Sequence, residues 1–220
     1  MNAFAENPAI DRHERRRRNM VTQQLRASGI EDTLVLDAMS RIPREWFVPA
    51  ELIESAYDDR ALKIDCGQTI SQPYIVARMS ELLELRPTDR VLEIGAGSGY
   101  QTAVLATIAA RVYSIERIAA LAEVATKRLN ALGLRNVDMH VGDGSLGWPE
   151  HAPYDAIIVT AGAPSVPQTL IDQLAEGGRL VAPVGELRDQ HLIRLRRTGG
   201  RIAREDLLPC RFVPLIGEKG

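Results

Sequence analysis

The segment Val91-Leu92-Glu93-Ile94-Gly95-Ala96-Gly97-Ser98-Gly99-Tyr100 joins an apolar, strand-like run to a helical pattern through alternating glycines. Lacking Cβ atoms, these glycines let the backbone turn sharply and let a ligand lie against it, beside the unpaired N–H groups that open the next helix. Gly95, Ala96, Gly97, Ser98 and Gly99 are therefore a candidate cofactor cradle. A dinucleotide fingerprint would need a glycine where Tyr100 stands, so the pattern leans away from NAD. Taken alone, such a turn also suits a strand-to-helix connection that binds nothing.

Two acids narrow the choice. Glu116, with Arg117 beside it, ends the run Val112–Ile115 about 20 residues beyond the glycines, where an acid that binds ribose hydroxyls is expected. Asp143, followed by Gly144, ends the next run and could accept a hydrogen bond from an adenine amino group. The glycine loop contains no basic residue and no P-loop lysine is present, so an adenosine without phosphate fits best. S-adenosylmethionine, leaving as S-adenosylhomocysteine, meets this description. Glu93 either helps hold the methionine end or hydrogen-bonds to the glycine loop.

The elements that must position these residues follow from periodicity. Apolar residues from Arg15 to Ala56 recur at mostly helical intervals, interrupted at Ile42-Pro43 and Val48-Pro49, which predicts short helices. Tyr57 to Gln72 has little periodicity and reads as a long loop, a common place for function. Pro73 suits a first helical position, followed by the stripe Ile75, Met79, Leu82 and Leu83. Beyond Pro87, strands at 91–94, 112–115, 137–141, 156–159 and 179–182 alternate with helices at 100–109, 118–132 and 167–174. That alternation predicts an α/β fold, a doubly wound and mostly parallel Rossmann-like sheet, and an antiparallel pair appended to it fits the methyltransferase type. Runs at 191–196 and 201–208 around Gly199-Gly200 predict a C-terminal antiparallel hairpin. The order of those last two strands is open.

A chain of 220 residues with 45% hydrophobic and 25% charged residues is ordinary for a globular protein. One domain over 20–220 is expected, with 20–85 as a helical and substrate-loop segment and 86–220 as the cofactor-binding sheet and hairpin. Residues 1–19 read as a partly flexible extension, in which Arg15–Arg18 with Asp11 and Glu14 suit a solvated helix start. A formal charge of −2, with basic residues dispersed beyond that extension, argues against nucleic acid as a partner. No run approaches a membrane span or a signal peptide, and Cys66 and Cys210 suit free thiols in a reducing cytoplasm. A cytoplasmic monomer is expected.

Gly67-Gln68-Thr69-Ile70-Ser71-Gln72-Pro73-Tyr74 resembles the signature of the protein-L-isoaspartate O-methyltransferase family. The resemblance continues, in order, through Arg44-Glu45-Trp46-Phe47-Val48-Pro49, Tyr57-Asp58-Asp59, the block from Leu92 to Gln101, the block from Tyr154 to Ala163, and Arg211-Phe212-Val213-Pro214-Leu215. It runs from roughly Met20 to Leu215. Lys63 and Cys66 depart from it, where a proline and a small or polar residue are expected. The resemblance implies methyl transfer from S-adenosylmethionine to the free α-carboxylate of L-isoaspartyl residues in damaged proteins and peptides, starting repair through a succinimide.

By that resemblance Ser71 is the active-site residue, hydrogen-bonding the substrate carboxylate. Thr69 and Ile70 shape the junction of substrate and cofactor, and Val213 and Leu215 line a peptide cleft with backbone groups for an extended substrate. From the residues alone, Ser71 equally suits an N-cap for the helix at Pro73, and Val213 and Leu215 suit packing at a sheet edge. A carboxylate is already the nucleophile at pH 7 and a sulfonium carries its own leaving group, so no triad, metal or strong base is required. His13, His140, His151 and His191 accordingly form no catalytic constellation. Competing readings are a methyltransferase for small molecules or nucleic acid, a dehydrogenase, and a non-catalytic cofactor-binding module.

Overall fold

The structure is a computed structural model that describes residues 8–220. The expectation of flexibility for residues 1–7 lies outside the described residues. Helix α1 (Pro8–Asn19) continues through a π-wound stretch, Met20–Leu25, whose Met20, Val21 and Leu25 are buried. Gly29, at φ 87°, stops that run in the left-handed conformation glycine tolerates. Helix α2 (Thr33–Arg41) starts where Asp32 accepts hydrogen bonds from the Leu34 and Val35 amides. Two 3-10 turns, Arg44–Phe47 and Ala50–Ser55, follow at the prolines.

The expected long loop carries a small sheet of its own. Strands β1 (Leu62–Lys63) and β2 (Thr69–Ile70) pair antiparallel, Leu62 opposite Ile70. Helix α3 (Pro73–Leu82) begins at the predicted proline. Its N-cap position is held by Gln72 without a side-chain cap, so Ser71 is not the cap. Asp59 from the loop does that work, accepting from the Tyr74 amide at 3.2 Å and from Gln72 Nε2 at 2.8 Å.

The remaining elements are β3 (Arg90–Ile94), α4 (Tyr100–Ile108), β4 (Arg111–Glu116), α5 (Ala119–Ala131), β5 (Val137–Val141), β6 (Tyr154–Val159), α6 (Gln168–Asp172), β7 (Leu174–Glu186), β8 (Asp189–Thr198) and β9 (Arg201–Cys210). Seven of the strands form one sheet in the order β5-β4-β3-β6-β7-β8-β9. Strands β3 to β7 are mutually parallel, while β8 runs antiparallel to β7 and β9 to β8. The tail is thus a meander, because β7 extends well beyond the expected 179–182 and turns directly into β8 at Leu187-Arg188.

Side chains alternate across the sheet as the pleat requires. Val91, Val112, Ala156, Ile158 and Val181 join α2, α3 and α4 in the larger core, whereas Leu92, Ile94, Ile115, Ile157 and Leu180 join α6 residues on the other face. Neighbours on either side of β3 are β4, reached through α4, and β6, reached only after β5, so the strand order reverses there. Open parallel sheets bind ligands at such a reversal, beyond the carboxyl ends of the strands.

Candidate functional site

The glycine loop leaves β3 at this reversal. Gly95, Gly97 and Gly99 have φ of 94°, 53° and 89°, conformations disfavoured for any residue with a Cβ. The loop is braced on several sides. The Gly95 amide donates to the Ile115 carbonyl at 2.8 Å, Thr160 Oγ1 donates to the Ile94 carbonyl at 2.9 Å, and Arg128 Nη1 donates to the Ser98 carbonyl at 3.1 Å. A Cβ on Gly95 would stand 2.5 Å from Thr160 Oγ1, and one on Gly144 would collide with Ile94 Cγ2. Glycine at these positions therefore keeps the floor of the cleft thin.

Glu116 is buried at the end of β4. Its Oε2 accepts from the Gly97 amide and its Oε1 from the Ile118 amide, both at 2.9 Å. A carboxylate has about four lone-pair sites, so each oxygen retains one for a hydroxyl donor. This is what a ribose diol needs, and the same carboxylate fixes the loop against which the nucleoside lies. Arg117, Gly144, Ala96, Gly97 and Ser98 share the cleft wall with it.

Across the cleft stand Gln68, Thr69, Ile70 and Ser71, and Val213 to Ile216 form a third side. A second groove opens beyond, between Ala61, Gln72, Ile75 and the segment from Pro209 to Phe212. The two meet at Thr69, Ser71, Thr160, Val213 and Pro214, which line both. Ser71 thus sits where a cofactor's reactive end and a second reactant would touch. With Asp59 capping α3, the Ser71 hydroxyl forms no hydrogen bond among the described residues, while its carbonyl accepts from Arg44 Nη2 at 2.8 Å.

Glu93, Gly99 and Asp143 do not line the cleft. Glu93 lies opposite Ser114 in the β3–β4 register and is fully buried; its Oε2 accepts from Thr102 and Ser114 hydroxyls, both at 2.5 Å, and its Oε1 has no partner. Burial raises its pKa to about 7, against the pull of those two hydroxyls and helped by the nearby Glu116 charge. It bonds neither the glycine loop nor anything in the cleft. Gly99 packs against Ala125 and opens α4.

Asp143 Oδ1 accepts from the Ser145 amide and hydroxyl at 2.8 and 2.7 Å, and its Oδ2 from the Glu218 amide at 2.7 Å. These donors overcome the effect of burial and hold its pKa below the usual carboxylate value. Asp143 therefore anchors the segment that follows Ile216 over this end of the cleft. Of the substrate-side residues, Val213 and Leu215 line the cleft, but the Val213 carbonyl and Leu215 amide are taken by Gly162, at 2.8 and 2.7 Å. Those two groups are not available to an extended peptide, contrary to the expectation from sequence. Tyr100 and Met79, read from sequence only as a departure from the dinucleotide pattern and as part of a helix stripe, also line the cleft, as do Gln101, Val76, Thr160 and Ile216; of these last four only Thr160, at the end of a predicted strand, carries a signal in the sequence.

A doubly wound sheet ending in an antiparallel meander, with a phosphate-free nucleoside cradle at its strand reversal, defines the Rossmann-like methyltransferase class. Comparison with known proteins narrows this. Residues 15–220 match the family model for protein-L-isoaspartate(D-aspartate) O-methyltransferase. A protein-L-isoaspartate O-methyltransferase of Pelobacter propionicus is 57% identical over 215 residues, covering 97% of this chain and 96% of its own length. One from Rhodopseudomonas palustris is 58% identical, covering 93% and 84%. A solved protein-L-isoaspartate O-methyltransferase superposes with a TM-score of 0.84 at 33% identity, covering 92% of this chain and 67% of its own. A Plasmodium falciparum relative in complex with S-adenosyl-L-homocysteine gives 0.79 at 26% identity, covering 91% and 98%. The chain belongs to the protein-L-isoaspartate O-methyltransferase family.

Proposed function

We propose that this chain methylates the free α-carboxylate of L-isoaspartyl residues in damaged proteins and peptides, with S-adenosylmethionine as donor. The observation that carries the reading is Ser71, with its hydroxyl uncommitted, at the junction of the cofactor cleft and a second groove. The Gly95–Ser98 loop, Glu116 and Gly144 fit an adenosine: Gly95 and Gly144 have no room for a Cβ, Gly97 holds a positive φ, and Glu116 keeps acceptors for a diol. When bound, S-adenosylmethionine supplies an electrophilic methyl group on a sulfonium that is its own leaving group.

The protein's share is orientation. Ser71 donates its hydroxyl proton to one oxygen of the substrate carboxylate, leaving the other oxygen to attack, and Thr69 and Ile70 set the distance between the two reactants. Alignment of this kind replaces base catalysis, since effective molarities can be worth several kcal/mol. The resulting ester is a better electrophile than the carboxylate. The next backbone nitrogen closes a succinimide with loss of methanol, and hydrolysis returns some normal aspartate without further help.

An isoaspartyl residue carries its carboxylate on a shorter arm than an aspartyl residue does. With labelled methyl donor, an isoaspartyl peptide should accept label as an ester released as methanol in mild base, while its aspartyl twin stays nearly unlabelled. Equal labelling, or a label stable to base, would overturn the reading. The same proposal takes the chain to be a cytoplasmic monomer that does not act on nucleic acid. Supporting its parts on nucleic acid and location, the formal charge is −2, and no helix among the described residues is long and apolar enough to cross a membrane.

A further inference from the structure

Arg44 is fully buried, with no exposed area at all, and lies outside the lining of both grooves. Its Nε donates to the Ala56 carbonyl at 2.7 Å and its Nη2 to the Ser71 carbonyl at 2.8 Å. Its guanidinium carbon stands 4.8 Å from the centroid of the Tyr100 ring, and Tyr100 is the residue that follows the glycine loop. Nη1 and the Tyr100 hydroxyl are both buried without a hydrogen-bond partner. Among the described residues no carboxylate pairs with Arg44.

A buried cation with no carboxylate in contact is expensive, Asp59 acting on Arg44 only through its field, and a methionine or leucine of similar length would fill the same space at lower cost. What an apolar side chain could not do is hold two carbonyls from different segments while placing a cation over an aromatic ring. Arg44 does all three: its Nε and Nη2 grip the start and the end of the substrate loop, and its guanidinium carbon stands over the ring of the first residue of α4. The substrate seat and the cofactor seat are thereby referred to one rigid group.

We propose that Arg44 is a positioning residue for methyl transfer, fixing the Ser71 peptide against Tyr100 so that the bound carboxylate keeps its alignment with the methyl group. This rests on the isoaspartyl methyltransferase reading. Misplacement by about 1 Å is enough to cost on the order of a hundredfold in rate, so a small shift of the Ser71 backbone should appear in turnover.

The test is a double-mutant cycle of Arg44→Lys with Ser71→Ala, scored as kcat and KM for an isoaspartyl peptide and as Kd for S-adenosylhomocysteine by calorimetry. Lysine keeps the charge but can reach only one carbonyl. In the parent, Arg44→Lys should lower kcat at least tenfold with the S-adenosylhomocysteine Kd changed less than twofold. In the Ser71→Ala background the same substitution should lower kcat less than twofold, because there is no hydroxyl left to misplace. A purely structural role predicts equal losses in both backgrounds, or lost stability with kcat intact, and either result overturns the proposal. Arg44→Gln serves if the lysine variant does not fold, and failure of both to fold also counts against it. Should the parent bind S-adenosylhomocysteine yet not methylate the isoaspartyl peptide, the functional reading fails and the Arg44 proposal falls with it, whereas an active parent with equal losses in both backgrounds overturns the Arg44 proposal alone.

Discussion

At the scale of single residues, the hydroxyl of Ser71 and the carboxyl of Glu93 make opposite predictions. Because Asp59 caps α3, Ser71→Ala should change stability by no more than about 0.5 kcal/mol, as for an unengaged surface-type site. One hydrogen bond to a charged group is worth about 2 kcal/mol, so kcat should fall by roughly thirtyfold while cofactor affinity holds. A variant that lost stability and kept its turnover number would return Ser71 to the role of a helix cap. Glu93 should act on stability instead. Its folded pKa is raised to about 7 by burial, whereas an unfolded glutamate titrates near ~4.3. Between those values the folded chain binds a proton that the unfolded chain has released, so this group's contribution falls as pH rises from about 4 to 7 and is level above. Glu93→Gln removes that slope. Denaturant melts should show the variant gaining on its parent by on the order of 3 kcal/mol across that window. A difference that stayed constant with pH would mean that Glu93 is ionised throughout.

Secondary-structure elements were legible wherever hydrophobic periodicity was continuous, and caps and turns were legible only when their residues are local. Tyr100–Ile108, Ala119–Ala131 and the strand Val137–Val141 stand within a residue or so of their expected bounds. The Gly199-Gly200 hairpin is present with φ of 60° and 72° at its two glycines. The β7–β8 turn was not seen, because Leu187-Arg188 carries no turn-forming residue and the necessary backbone freedom sits at Gly185, φ 134°. Nor was the α3 cap, since Asp59 reaches it from the far end of the substrate loop. Asp59→Ala should cost about 1 kcal/mol as a lost cap. It should also raise KM for peptide several-fold, as Gln72 loses its anchor, without changing affinity for S-adenosylhomocysteine. Thermal melts and steady-state kinetics on one preparation would check both, and an unchanged midpoint would show that solvent replaces the cap.

For the whole molecule, the placing of the glycine loop, Glu116 and Gly144 along one cleft was legible because all three follow strands of a parallel sheet that alternation implies. What the sequence did not disclose depends on contacts between distant segments. Glu93 points away from the cleft because the pleat sends Leu92 and Ile94 to one face and Glu93 to the other, toward Thr102. Val213 and Leu215 spend backbone groups on Gly162, half a sheet away in sequence. Arg44 becomes interesting only when Ser71 and Tyr100 are seen on either side of it. If the proposed monomer is right, light scattering should give a mass near the 24.3 kDa of the chain. Specific activity should be unchanged on dilution. A dimer whose activity fell on dilution would show that a second copy completes the site.

Asp143-Gly144 places the enzyme among its own potential victims. An aspartate followed by glycine is prone to slow rearrangement, because no side chain shields the glycine nitrogen from the neighbouring carboxyl carbon. The dipeptide cannot be designed away, since any Cβ at Gly144 would run into Ile94. What protects it is the set of donors from Ser145 and Glu218, which keep the Asp143 carboxyl anionic, and so a poor electrophile, and tether both of its oxygens. The segment after Ile216 is in this sense a preservative.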